Sequence, residues 1–164
     1  MSTAELPPFQ VFFDEHRTPV RGFLRAMVGP DDADDCLQET FLAALRAYPR
    51  GEVRNLRAWV LTIARRKAID HHRARARRPQ PSADPQAVAA AGASDGLGGG
   101  ELWTDVAQLA PGQRAALALR FAADLPYREI GAALDCSEAA ARRRVHDGLN
   151  ALRERLGTTT KEDR

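Results

Sequence analysis

A dense run of cations between Arg54 and Arg78 has the clearest chemical bias in the sequence. It holds nine lysines and arginines and a single acid, Asp70. Its first half also carries apolar residues at helical spacing, so we expect an amphipathic helix that starts after Asn55, a suitable N-cap. A helix that is anchored by one face and cationic on the others is typical of a surface that binds a polyanion.

The same helix predicts which of its residues are buried. Trp59 lies in phase with aliphatic neighbours, so we interpret it as a core residue rather than a platform for stacked bases. His71 and His72 are adjacent and point about 100° apart on a helix, so we expect no metal site there and histidines that face phosphates or solvent. The predicted buried stripe is Leu56, Trp59, Val60, Ile63 and Ala64.

A second chemical pattern lies near the C-terminus, between residues 125 and 156. Two short helices, the first starting at Pro126, are joined by a tight turn at Asp135-Cys136, and the second helix is cationic. This is the helix-turn-helix pattern, and Gly131 allows its helices to cross closely. The second helix is capped by Ser137 and presents a set that could enter a major groove: Ser137, Glu138, Ala139, Arg142, Arg143 and His146.

The arginines of that set can bind either guanine edges or phosphates, and the sequence leaves both possibilities open. A plain helical hairpin with a solvated arginine cluster is the alternative to a DNA-binding motif. Three consecutive arginines after a capped, alanine-rich first turn favour DNA binding, because small residues let the backbone approach the groove.

An acidic segment precedes the basic run. Residues 31–39 hold five acids and no base, and acids suit the start of a helix. A helix over 31–48 would bury Leu37, Phe41, Leu45 and Tyr48, with Cys36 and Ala44 beside them. Asp35, Gln38 and Glu39 would project from the flanking face, either as a solvated surface or as a docking surface for another protein.

The remaining segments complete an all-α chain. Residues 9–28 predict a helix that Pro19 and Gly22 kink or divide and that Gly29-Pro30 ends. Residues 79–100 are rich in Pro, Gly, Ala and Ser and contain two acids and no base, which predicts a flexible linker. Two more sets of apolar residues predict buried helix faces after it: Leu102, Val106, Leu109, Ala116, Leu117, Leu119, Phe121 and Ala123, then Ala141, Val145, Leu149, Leu152 and Leu156.

These segments predict two small helical domains joined by a flexible linker: residues 5–78, the linker 79–100, residues 101–157 and a tail, 158–164. Cys36 and Cys136 stand far apart, which favours reduced thiols. No apolar run reaches membrane-spanning length and no signal-peptide pattern is present, so we expect a cytoplasmic protein. No Gly-rich phosphate loop, metal cluster or nucleophile–base pair occurs, so we expect no catalytic residue, cofactor or metal.

The chain resembles the extracytoplasmic-function sigma factors, the compact class of the sigma-70 family. The resemblance rests on DADDCLQETFLAAL, NLRAWVLTIARRKAIDHHRARARR and LPYREIGAALDCSEAAARRRVHDGLNALRERL, which occur in the family's order around a variable linker. It implies sigma region 2 in the first domain and the region 4 helix-turn-helix in the second.

The resemblance also implies partners and roles. Asp35, Gln38 and Glu39 match the motif that docks on the clamp of the large subunit of core RNA polymerase. The second domain matches the part that binds the −35 element of promoter DNA, and a separate anti-sigma factor is an expected partner. The match to the surface that melts and binds the −10 element comprises Arg54, Asn55, Arg57, Arg65, Arg66, Lys67, His71 and Arg73.

A self-sufficient helix-turn-helix regulator is the alternative function. Such a regulator would need a dimerisation surface, because one motif binds only a half-site. Neither a coiled-coil heptad nor an extra domain that could supply one is seen. Co-elution with core polymerase distinguishes the two functions.

Overall fold

The structure, a computed structural model, describes residues 6–49, 53–78 and 100–162, with the backbone alone at 100, 101, 103 and 158–162. Within these ranges the regular structure is helical throughout, which confirms the all-α fold class. The predicted linker lies outside the described residues except for Gly100. The helices are α1 (Phe9–Val28), α2 (Pro30–Arg46), α3 (Leu56–Arg77), α4 (Gly100–Ala107), α5 (Pro111–Leu117), α6 (Tyr127–Ala133) and α7 (Glu138–Glu162).

Helices α1 and α2 form the first pair of a three-helix bundle. α1 is continuous across Pro19 and Gly22, so the predicted division at these residues does not occur. Gly29 ends α1 as predicted, with a φ of 87° that favours glycine, and its N–H bonds to the carbonyl of Arg25. Pro30 then opens α2, so a single residue reverses the chain.

The buried face of α2 differs from the predicted stripe. Leu45 was expected to be buried but is 51% exposed. The buried face consists mainly of smaller side chains, which let α2 approach α1 and α3 closely. Thr40 can be buried among them because its hydroxyl donates to the carbonyl of Cys36 at 2.7 Å. The buried residues of α2 are Ala33, Cys36, Thr40, Phe41 and Ala44.

Helix α3 packs against both α1 and α2. The predicted N-cap is confirmed, since the side chain of Asn55 accepts the N–H of Ala58 at 2.9 Å. The predicted stripe is displaced: Leu56, Trp59 and Ile63 are only partly buried, because the line of contact runs between the two neighbouring helices. The fully buried residues are Val60, Leu61, Ala64 and Ala68.

The second helical unit departs from the prediction around a π-helical turn, Ala118–Ala122, which follows α5. A π-helical turn takes an extra residue and shifts the phase of the side chains, and Phe121 is 58% exposed instead of buried. Leu102 and Leu156 are also exposed, and they join Phe121 along an apolar groove of about 350 Å³. Helix α4 ends at Ala107, and Pro111 opens α5.

Helices α6 and α7 form the predicted helix-turn-helix. Asp135 has a φ of 54°, as expected for the turn, and the N–H of Cys136 bonds to the carbonyl of Gly131 at 2.8 Å. The hydroxyl of Ser137 accepts the N–H of Ala140 at 3.1 Å, which confirms the cap. A Cβ on Gly131 would lie 2.7 Å from the carbonyl oxygen of Cys136, so only glycine allows this approach.

The two helical units pack against each other. α1 contacts α4, α5 and the π-helical turn, and α3 contacts α6. Arg57 of α3 donates to the carbonyl of Ala123 at 3.4 Å, and Arg114 of α5 donates to the carbonyl of Met27 at 3.5 Å. Burial lowers the pKa of Arg114. The buried residues of both units therefore form one apolar cluster rather than two separate small cores.

The first prediction concerns Gly131, where space is lacking, and Gly157, where it is not. Gly131→Ala should lower the free energy of unfolding by about 1–3 kcal/mol through overpacking. Gly157→Ala on α7 meets nothing within 4 Å and should raise it by about 0.5–1 kcal/mol through helix propensity. Urea unfolding measures both, and an equal effect of the two changes would contradict the close approach at Gly131.

Candidate nucleic-acid interfaces

The cations of α3 lie on the part of its circumference that the core leaves outside. Arg66 and Arg73, two turns apart, face outward and are exposed, and Arg65 and Lys67 flank them with partly buried stems. Together with exposed Arg54, these five form no side-chain hydrogen bond or ion pair with the residues that the structure describes. This gives a strip of cations whose charge is available to a polyanion.

Three other residues predicted at the −10 surface have partners within the chain. Asn55 caps α3, and Arg57 donates to the second helical unit. His71 lies 3.1 Å from the carboxylate of Asp32, between Nε2 and Oδ2, rather than pointing into solvent. Their role at a promoter stays a prediction, and it would require their side chains to serve two contacts or to exchange one for the other.

Asp32 ties the far end of α3 to α2. Its Oδ2 lies 2.8 Å from Nη1 of Arg75 as well as 3.1 Å from Nε2 of His71. His72, expected to face phosphates or solvent, instead places Nε2 2.8 Å from the carbonyl of Met27. These contacts orient α3 in addition to the packing of its buried face. The spacing of residues in the sequence did not predict them.

The outward face of α2 carries polar and apolar residues together. Asp35, Gln38 and Glu39 are exposed, as predicted, and make no side-chain bond to any part of the chain that is described. Leu42 and Leu45 lie on the same face and are 45% and 51% exposed. Exposed leucines beside unpaired polar groups are compatible with a docking surface. Sequence reasoning missed this, because it assigned Leu45 to the core.

Cys36, on the opposite side of α2, is not a reactive group. Burial raises the pKa of its thiol to about 11, and the nearby acids Glu39, Asp32 and Asp35 add to the shift. The thiol is therefore protonated at neutral pH and acts as a small apolar side chain. No cluster of three or more His, Cys, Asp or Glu side chains suited to a metal ion occurs among the described residues.

Five of the six residues predicted at the recognition surface of α7 lie together, and the side chain of the sixth, Ser137, is occupied as the helix cap. Glu138, Ala139, Arg142, Arg143 and His146 line one open surface. His146 bonds to Asn150 at 3.1 Å, between Nε2 and Nδ2. The set thus lies on one face of α7, where it could contact the edges and backbone of a DNA groove.

The three consecutive arginines of α7 differ in their surroundings. Arg142 donates to Glu138 at 3.1 Å and its guanidinium carbon lies 4.9 Å from the ring centroid of Tyr127. Arg143 is exposed and has no side-chain partner in the described part of the chain. Arg144 is turned inward, with Nη1 3.6 Å from the sulfur of Cys136.

The three environments follow from the rotation of about 100° per residue along α7. Sequence reasoning missed Tyr127, whose ring contacts both Arg142 of this surface and Arg120.

The next prediction concerns Asp32, the residue of α2 that contacts the far end of α3. Asp32→Asn should lower the free energy of unfolding by about 0.5–1 kcal/mol, because it removes the ion pair with Arg75 and weakens the hydrogen bond with His71, and the loss should shrink in high salt. Asp31→Asn removes the same charge from the same first helix turn without a described partner, so it measures the effect of the helix dipole that both residues share, and its loss should be the smaller of the two. Urea unfolding at two salt concentrations checks the pair; equal losses would mean that Asp32 acts only through net charge.

Comparisons with known proteins match both helical units. The family model for Sigma-70 region 2 matches residues 12–78, and the model for Sigma-70, region 4 matches residues 106–154. No helix in the described ranges has the length and apolar character needed to cross a membrane.

Two relatives share their sequence with most of the chain. The RNA polymerase sigma factor CarQ of Myxococcus xanthus is 38% identical over 157 residues, which cover 91% of this chain and 89% of the relative. The ECF RNA polymerase sigma factor SigC of Mycobacterium tuberculosis is 33% identical over 151 residues, with 87% and 80% covered.

A solved structure shares the fold. The sigma factor RpoE, crystallised with the anti-sigma factor NepR from Bartonella quintana, superposes with a TM-score of 0.74 at 24% identity. The superposition covers 91% of this chain and 96% of that one. At this identity the likeness concerns the fold alone.

Proposed function

The chain belongs to the extracytoplasmic-function sigma factors of the sigma-70 family, and from this membership we propose how its surfaces divide the work of promoter recognition. A sigma factor binds core RNA polymerase and directs it to promoters. We assign polymerase docking to α2, the −10 element to α3 and the −35 element to α7. Sigma factors are initiation factors rather than enzymes, and we assign no catalytic residue.

The observation that carries this division is the contrast in charge between the surfaces of α2 and α3. α2 presents acids with exposed leucines, whereas α3 presents cations without partners in the chain. Asp35 and Glu39 would repel DNA, so the outward face of α2 suits a protein partner, the clamp of the polymerase large subunit. Leu42 and Leu45 would add apolar area to that contact.

Helix α3 suits a promoter strand that is being opened. Exposed Arg66 and Arg73 and the flanking Arg65 and Lys67 can neutralise phosphates along one strand. Trp59 is partly buried and packs against Phe12 and Tyr48, with ring centroids 5.8 and 6.2 Å away. It therefore helps to hold α3 against α1. Promoter opening takes place in the cytoplasm, where we place the protein.

A separate anti-sigma factor is a further proposed partner. The superposed RpoE structure contains such a factor, NepR. Two surfaces of this chain could take one: the outward face of α2 and the apolar groove beside Phe121. Covering the outward face of α2 would hide the surface that we assign to polymerase.

The whole assignment is tested by gel filtration with core polymerase and by run-off transcription from promoters selected with the reconstituted holoenzyme. We expect co-elution and promoter-dependent transcripts. A chain that fails to co-elute with core, yet shifts promoter DNA alone, would instead be the self-sufficient regulator.

The docking surface gives a prediction for single variants. Asp35→Ala and Gln38→Ala should each weaken core binding by roughly tenfold, about 1.4 kcal/mol, because each removes a central polar contact of the interface. Glu15→Ala, a charge-matched change of an exposed residue on α1, should leave the affinity unchanged. Fluorescence titration of labelled sigma factor with core measures all three. If core affinity is unaltered by both α2 changes, α2 is not the docking surface.

The −10 surface gives a prediction in the presence of polymerase. Arg66→Ala and Arg73→Ala should weaken holoenzyme binding to a promoter fork with a single-stranded −10 element, and each should reduce the salt slope by about 0.7. Arg17→Ala removes an exposed cation from α1 and is the control. Titrations at several salt concentrations give the slopes. A loss in Arg17→Ala as large as in the α3 variants would assign the effect to net charge.

A further inference from the structure

We propose that Asp32 is a positioning residue for the −10 surface, which keeps the second half of α3 ordered and at a fixed angle to α2. His71 and Arg75 act through Asp32 rather than by touching DNA. The inference deepens the proposed function, since it rests on α3 binding the opened strand and on α2 docking on polymerase. It concerns the part of α3 that lies beyond the apolar core.

The second half of α3 lacks the apolar support of the first half. Ala68 is the last fully buried residue of α3, and the helix continues to Arg77, a further length of about 14 Å. A tilt of about 15° at Ala68 would displace the far end by about 4 Å, enough to separate a guanidinium from a phosphate. Polar contacts must therefore set the direction of this half.

Three contacts hold this half to the corner where α1 ends and α2 begins. Oδ2 of Asp32, in the first turn of α2, lies 2.8 Å from Nη1 of Arg75 and 3.1 Å from Nε2 of His71. Nε2 of His72 lies 2.8 Å from the carbonyl oxygen of Met27, near the end of α1. His71 and Arg75 are one turn apart, and His72 is rotated by about 100° from His71, so the contacts restrict both the tilt and the rotation of the helix.

The charge of this half explains why an acid is needed at the corner. Residues 65–78 hold seven lysines and arginines and a single acid, Asp70. Like charges one turn apart, such as Arg73 and Arg77, destabilise a helix, and a short helical segment is marginal on its own. Asp32 supplies a counter-charge from another helix. Its side chain is only 30% exposed, so salt screens this charge less than that of a fully exposed acid.

Asp32 supports α3 from the side that faces away from the exposed cations. Successive residues turn by about 100°, so Arg73 lies about 200° around the helix from both His71 and Arg75. Arg66, two turns before Arg73, shares its outward direction. Both arginines are exposed and have no side-chain partner in the described part of the chain. The acid thus orders the helix without occupying the cations that would meet the strand.

The same acid links the −10 surface to the docking surface. Asp32 lies in the first turn of α2, and Asp35, which we assign to polymerase docking, follows one turn later on the same helix. The second half of α3 is thereby held at one angle to a helix that is itself fixed on polymerase. The opened strand then meets cations that are already in place, so less conformational entropy is lost on binding.

Charge and position predict opposite effects of removing this acid. An acid beside a cationic surface repels phosphates and neutralises Arg75, so by charge alone Asp32→Asn should tighten DNA binding. If Asp32 positions α3, the same change should weaken DNA binding. The sign of the effect therefore separates the two roles, which a loss of stability alone would not do.

The test uses the full chain assembled with core polymerase and a promoter fork with a single-stranded −10 element. Asp32→Asn should weaken binding by about two- to tenfold, which corresponds to one side chain that has to be ordered on binding. Asp31→Asn removes the same charge from the same turn without a described partner, and it should bind as tightly as wild type or slightly more tightly. Core affinity and thermal unfolding, measured on each variant, show that docking and the fold are intact.

A double-variant cycle tests whether His71 and Arg75 act through Asp32. His71→Gln and Arg75→Gln should each weaken binding when made alone. Combined with Asp32→Asn, each should add little to the loss, because the contact that it removes is already broken. A residue that touches DNA itself would add its full loss, so additive losses would overturn the positioning role.

The outcomes distinguish the role of Asp32 from the function on which it rests. Arg66→Ala and Arg73→Ala variants that bind the fork as tightly as wild type would overturn the proposed role of α3 itself. If these variants bind weakly but Asp32→Asn binds as tightly as wild type, or more tightly, Asp32 does not position α3. A loss in Asp31→Asn as large as that in Asp32→Asn would also overturn the inference, because it would assign the effect to the helix turn that both residues share.

Discussion

The burial of one narrow face of α3 is the contact on which the rest of the structure depends. Val60, Leu61, Ala64 and Ala68 are fully buried against α1 and α2, and two of the four are alanines. Small side chains bring the helices close, so a thin apolar stripe suffices to hold a helix that is otherwise strongly charged. The cations of α3 must then lie on the remaining circumference, where Arg57 and Arg75 find partners in the chain and the others remain available to a polyanion. Asp32 completes the arrangement by holding the far end of the helix through His71 and Arg75.

In the second helical unit the comparable constraint is backbone conformation. The turn between α6 and α7 requires a left-handed residue at Asp135, a side-chain cap at Ser137 and a position without a Cβ at Gly131. These three requirements fix where α7 starts and how it is rotated. Because α7 is rotated in this way, its consecutive arginines point to a neighbouring ring, to solvent and to the turn itself. Three consecutive arginines thus have three different environments: Arg142 contacts a ring, Arg143 is exposed and Arg144 packs against the turn.

The contact between the two helical units links the surfaces that bind the two promoter elements. Arg57 donates to Ala123 across this contact, and Arg114, whose pKa is lowered by burial, donates to Met27. Arg57 also belongs to the residues predicted at the −10 element. DNA that binds the guanidinium of Arg57 would compete with the carbonyl of Ala123. The hydrogen bond that would be lost joins a charged donor to a neutral acceptor and contributes about 1.5–3 kcal/mol at most. If Arg57 binds DNA as predicted, that binding would weaken the contact between the two helical units.

The sequence by itself determined the features that depend on neighbouring residues. Asn55 and Ser137 as caps, Gly29 as a helix end and Asp135 as a left-handed turn residue each follow from chemistry within a few positions along the chain. The sequence motifs around them, together with their order, were sufficient to identify the family. The outward orientation of Asp35, Gln38 and Glu39 also followed from helical periodicity, although their role is still a prediction.

Only the tertiary structure decided which arc of each helix is buried and which side chains pair across the fold. Leu45, Phe121 and Leu156 are apolar and in phase with buried neighbours, yet they are exposed, because burial depends on where the adjacent helices lie. The partners of His71 and Arg142 could not be inferred for a related reason. Asp32 is 39 residues from His71, and Tyr127 belongs to another helix than Arg142, so no local pattern connects them. Spacing restricts a side chain to an arc of about 100°, but the packing of helices against one another determines what that side chain meets.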